Sequence, residues 1–170
     1  MRPIYGVSLE VGAFVLLILF RLAVPGGLLF GIYVVIAELM STYLLHCPGH
    51  YIVGSTVGIR FRSMGLGRTT LARVLPPWAA GLAKAFPVLT LRTNKKTLAA
   101  ASRTKAAAMY ASGTVASVAS AFVIAAVSTL VEPFTYSAVA WIVAIGYLAF
   151  DVVFSPRSGD LMRARAALRP

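Results

Sequence analysis

Residues 28–53 read LLFGIYVVIAELMSTYLLHCPGHYIV, an apolar run that contains both histidines of the chain, His46 and His50, and its lone cysteine, Cys47. About 20 apolar residues suffice to cross a bilayer as a helix, so this run is long enough to span even when tilted. Three similar runs lie around it. Gly6 to Val24 precedes it, interrupted by Glu10 and Arg21 near its ends, where long side chains are expected to bend toward the interface. That run is too long for a signal-peptide core and no small-residue cleavage site follows it, so a retained helix is expected. Pro25, Gly26 and Gly27 form a turn into the second run. Ala106 to Val131 and Phe134 to Phe154 are the third and fourth, separated by a short turn at Glu132 and Pro133.

Composition agrees with four spans. The 170 residues are 59% hydrophobic and 12% charged, far from the balance of a soluble domain, and mean hydropathy is +0.83. One cysteine excludes an intramolecular disulfide. The net charge of +11 would point to nucleic acid in a soluble protein. Here a basic face against anionic lipid explains it, and no nucleic-acid partner is expected. Ten Lys and Arg lie between Val57 and Lys105, four follow the last run, Arg2 precedes the first, and the two short turns carry none. The positive-inside rule therefore places both termini and the long middle loop in the cytoplasm of a multi-pass cell-membrane protein.

The expected fold is an all-α polytopic membrane protein, a single domain over 1–170. Its parts are an extra N-terminal helix (1–27), a first core helix (28–58), a cytoplasmic loop (59–105), a second core helix (106–131), and a third core helix with a basic tail (134–170). Within the loop, Ile59 to Gly67 alternates apolar and polar residues and ends in glycines, a short strand or hairpin signal. Val74 to Leu91 is apolar but carries Pro76, Pro77, Lys84 and Pro87, which favours an interfacial or re-entrant segment over a fifth span.

Four residues apart on a helix, His46 and His50 share one face, and two imidazoles at that spacing can ligate one zinc ion. The alternative is a pair of buried imidazoles hydrogen-bonded to neighbouring helices. Spacing alone does not choose between them.

The stretch from Leu45 to Gly67, LHCPGHYIVGSTVGIRFRSMGLG, resembles the site-2-protease family of intramembrane zinc metalloproteases, whose first core helix carries His-Glu-x-Gly-His. His46, Gly49 and His50 match that motif and Cys47 stands at the Glu position. Residues 108–117, AMYASGTVAS, are similar to the family's second core helix, with Thr114 in place of its Pro and Ser117 in place of its Asn. Residues 155–160, SPRSGD, stand where the third core helix supplies an Asp ligand. The resemblance covers about two thirds of the chain and implies a zinc site of His46, His50 and Asp160. Asp151, inside the fourth run, is the rival third ligand. Glu38 lies about 12 Å along the helix from His46 and cannot replace the missing Glu, so a hydrogen bond to Ser41, Thr42 or another helix is its expected use.

Cys47 is the decisive departure. In zinc peptidases the Glu moves the proton from metal-bound water to the leaving amine, and a thiol near a divalent cation would tend instead to ionise and bind the metal. Pro48 removes a backbone hydrogen bond between the two histidines and can kink the helix. Three readings stay open: a non-catalytic relative that binds zinc and a transmembrane segment or partner subunit, an active metalloprotease using another base, and a small structural subunit of a membrane complex with packed histidines.

Overall fold

The computed structural model describes residues 1–21, 28–67, 77, 80, 81, 88–131 and 134–169. It is mostly helical: α1 (Pro3–Arg21), α2 (Leu28–Thr56), β1 (Phe61–Gly67), β2 (Val88–Thr93), α3 (Lys95–Ala100), α4 (Arg103–Val131), α5 (Phe134–Ser158) and α6 (Asp160–Leu168). Four of these, α1, α2, α4 and α5, are long and apolar enough to cross a membrane. Large apolar side chains such as Leu16, Ile36, Leu130 and Ile142 stand exposed on them, an outer surface that suits lipid better than water.

The helices meet through small residues. Phe30 and Val34 of α2, Ala121 and Ala125 of α4, and Ala140 and Ala144 of α5 form a fully buried cluster. Alanine faces let backbones approach closely where lipid offers no hydrophobic drive to pack. A Cβ at Gly49 would stand 2.5 Å from the Ser112 carbonyl oxygen, so α2 and α4 touch backbone to backbone beside the histidines. Pro48 is accommodated inside α2, which continues to Thr56.

At the end of α2 the chain turns through Gly58, whose φ of +89° only glycine adopts freely. Ile59 N–H bonds to Gly54 carbonyl at 2.8 Å and Gly58 N–H to Ser55 carbonyl at 3.2 Å, closing the helix. β1 follows, as the alternation predicts. It pairs antiparallel with β2, Leu66 opposite Leu89 and Met64 opposite Leu91. Val88 to Leu91, assigned by sequence to the tail of a re-entrant segment, is therefore strand; residues 74–76, 78, 79 and 82–87 of that segment lie outside the described residues.

Two further expectations are corrected. Glu10 does not bend toward an interface: it is buried, and its carboxyl oxygens have no hydrogen-bond partner among the described residues. Nor does the Glu38 carboxylate bond to Ser41 or Thr42. Those hydroxyls satisfy the backbone of their own helix, Ser41 bonding to the Glu38 carbonyl and Thr42 to the Leu39 carbonyl, each at 2.8 Å. The Glu38 carboxyl oxygens are buried without a partner among the described residues. The basic tail, for its part, is ordered as the helix α6.

Candidate metal centre

Three elements bring His46, His50 and Asp160 together. The histidines stand one turn apart on α2, with ring centroids 4.8 Å apart and planes at 89°. Asp160 opens α6, because the chain breaks at Gly159 after α5 and turns back against α4. A Cβ on Gly159 would lie 2.8 Å from Ser155 Oγ, and that hydroxyl also accepts from Leu161 N–H at 3.3 Å. The break is thus built around Ser155.

Asp160 Oδ2 lies 2.8 Å from His46 Nε2 and 3.0 Å from His50 Nε2, and the two Nε2 atoms are 3.3 Å apart. Around a tetrahedral zinc ion, donors bonded at about 2.0 to 2.1 Å stand roughly 3.3 Å from one another. The observed triangle is close to that size. Arg163 Nη1 holds the other oxygen, Oδ1, at 3.3 Å.

The partners of the two Nδ1 atoms orient the rings. His50 Nδ1 faces the Met109 carbonyl at 2.7 Å, an acceptor, so Nδ1 carries the proton. Ser117 Oγ spends its own proton on the Thr42 carbonyl at 2.7 Å, so it accepts from His46 Nδ1 at 3.1 Å. An imidazole whose single proton is on Nδ1 presents a lone pair at Nε2. In that form two lone pairs and a carboxylate oxygen converge on one point. Such a cluster needs a cation at its centre, and of these residues' chemistry a metal ion or added protons are the choices.

Space for the cluster comes from α4. Gly113 lies one turn after Met109 on the same helix face, and any Cβ there would overlap His50 Nε2. Met109, Gly113 and Ser117 thus form one stripe along α4 that receives both rings. Of these, Ser117 was noted in the sequence only as a departure from Asn, and a backbone carbonyl such as that of Met109 leaves no residue-type signal.

His46 opens onto a cavity of about 410 Å³ between α2, α5 and β2, lined also by Tyr43, Tyr147, Phe150 and Asp151. Asp151, the rival third ligand, is in that wall and outside the ligand triangle. Cys47 lines a smaller cavity of about 210 Å³ shared with both histidines. Its thiol does not point to the triangle, contrary to the expectation of a metal-binding thiolate. It donates to the Leu89 carbonyl of β2 at 3.3 Å and packs against Val7 and Met64. One residue along a helix turns the side chain by about 100°, which carries Cys47 off the histidine face. Tyr43 completes this junction, its hydroxyl accepting from Leu89 N–H at 2.8 Å. Set against family models, curated proteins and solved structures, the chain matches none.

Proposed function

We propose that this chain is a site-2-protease-like integral membrane protein that holds one zinc ion at His46, His50 and Asp160 and does not hydrolyse peptide bonds. Both termini face the cytoplasm, and the cavity beside His46 receives a transmembrane segment of a partner. The observation that carries the reading is the triangle of His46 Nε2, His50 Nε2 and Asp160 Oδ2, 2.8 to 3.3 Å on a side, with each Nδ1 turned to an acceptor. Bound there, zinc would polarise a carbonyl or water at its remaining position. The chain's own residues hold and orient: Ser117 and Met109 fix the two imidazoles, and Arg163 fixes the carboxylate. Absence of turnover is supported by Cys47, whose thiol is spent on the Leu89 carbonyl where the resembled family has a proton-carrying Glu.

One observation favours a second reading, an active metalloprotease: the Asp151 carboxylate shares the 410 Å³ cavity with His46 and Asp160. The test is elemental analysis of protein purified in detergent, for wild type, His46→Ala, His50→Ala and Asp160→Asn. Close to one zinc per chain in wild type and its loss in all three variants is expected. Equal metal in wild type and variants would leave only packed, protonated histidines. Cysteine labelling in a Cys47→Ser background tests orientation, with Gly27→Cys and Pro133→Cys expected to react only from outside.

A further inference from the structure

A second cavity of about 410 Å³ lies between α3, the start of α4 and α6. Its floor is small and apolar: Leu98, Ala101, Ala106, Ala166 and Ala167. Two guanidinium groups stand on it, Arg103 and Arg163, with Tyr110 beside them. Arg103 is exposed and has no salt bridge among the described residues. Arg163 uses one N–H on Asp160, its side chain is 50% exposed, and a guanidinium has five such donors. The cavity's lining holds these two guanidinium groups and no carboxylate; Asp160 pairs with Arg163 from outside it, which leaves Arg103 as the charge without a salt bridge among the described residues.

Its depth is equally specific. Arg103 begins the span of α4 and Arg163 follows the end of the α5 span at Ser158, so both stand at one edge of the apolar slab. Tyr110 lies about 10 Å further in by helical rise and continues the same wall of the cavity. Guanidinium forks match phosphate oxygens in pairs, and a single anion between two of them satisfies donors that otherwise meet only water.

We infer that this cavity binds the phosphate group of an anionic phospholipid, held by Arg103 and Arg163, with the alanine floor against its glycerol and upper acyl carbons. The shared chemistry is a phosphate anion, and the site rests on the chain lying in a bilayer but not on metal at His46 and His50. Because Arg163 and Tyr110 also line the cavity that contains His50 and Asp160, the two cavities share a wall.

The experiment is native mass spectrometry of the full chain in non-ionic detergent, titrated separately with dioleoyl phosphatidylglycerol, dioleoyl phosphatidylcholine and inorganic phosphate. One phosphatidylglycerol per chain is expected, bound at least tenfold tighter than phosphatidylcholine. Arg103→Gln and Arg163→Gln should each weaken it fivefold or more, while Arg62→Gln, on exposed β1 outside the cavity, leaves it unchanged. Equal weakening by Arg62→Gln would mean diffuse charge and overturn the site, as would equal affinity for phosphatidylcholine. Inorganic phosphate binding as tightly as the lipid would overturn the lipid assignment in favour of free phosphate. Zinc content measured on the same samples separates loss of this site from loss of the metal centre.

Discussion

His50 Nδ1 donates to the backbone carbonyl of Met109 at 2.7 Å, and this bond determines which atom His50 turns toward Asp160. A carbonyl oxygen cannot donate, so the tautomer is settled by the partner. The same carbonyl also accepts from Ser112 Oγ at 2.7 Å, which anchors it from a second direction. His46 is fixed less firmly, through the hydroxyl of Ser117.

Ser117→Ala therefore tests the orientation argument without touching a donor atom. It removes the acceptor for His46 Nδ1–H while His50 keeps Met109. Outer partners of ligating histidines are commonly worth about 10- to 100-fold in metal affinity, and a loss in that range is expected. Competition against a zinc chelator of known affinity measures it. Unchanged affinity would mean that the ring is held by packing alone.

Gly113→Ala should damage the centre sterically. Its Cβ would occupy the space of the His50 ring, forcing the imidazole or α4 to move. Overpacking of this kind costs about 1 to 3 kcal/mol. Gly146→Ala is the comparison, since nothing lies within 4 Å of a Cβ there. Thermal unfolding in detergent should show a lowered midpoint, and zinc competition a weakened site, for Gly113→Ala alone. Equal midpoints for the two variants would contradict the close approach of α2 and α4.

How far this could be read from sequence differs by residue. The four long helices follow from apolar length, and the shared face of His46 and His50 from helical period. The family resemblance named Asp160 as the third residue of the group, and α6 brings it to the histidines. The supports were less legible. Met109 contributes a carbonyl, which every residue has, and Gly113 contributes an absence of volume. The partner of β1 is separated from it by about twenty residues, so its alternation predicts a strand but not the register with β2. Glu10 was misplaced for another reason: a carboxylate near a helix end can reach water only if no neighbour covers it, and sequence does not reveal what covers a residue.

Glu38 offers a test of the buried polar accounting. Its carboxyl oxygens are enclosed without a hydrogen-bond partner among the described residues. A buried polar group left unpaired costs about 1 to 3 kcal/mol. Glu38→Leu removes that cost at similar volume, so a midpoint at or above wild type is expected. Zinc content should not change, because Glu38 is two turns from His46. A midpoint several degrees lower would reveal a partner for the carboxylate and a structural role for it.

The final expectation concerns turnover. Peptide hydrolysis at a metal needs a group that takes a proton from water and returns it to the amine. Cys47 is turned away to Leu89, Asp160 faces both histidines through one oxygen and Arg163 through the other, and Glu38 is too far along α2. Asp151 is the remaining carboxylate of the cavity, in its wall and outside the ligand triangle. Water would have to carry the proton between Asp151 and the metal position. Wild type is therefore expected not to cleave a panel of single-span substrates reconstituted in liposomes, with or without added zinc, and Asp151→Asn should behave identically. Cys47→Glu places a longer carboxylate in the 210 Å³ cavity that it shares with His46 and His50, so any gain of cleavage belongs to that variant. Cleavage by wild type that disappears in both His46→Ala and Asp151→Asn would instead make Asp151 the base and the chain an active protease.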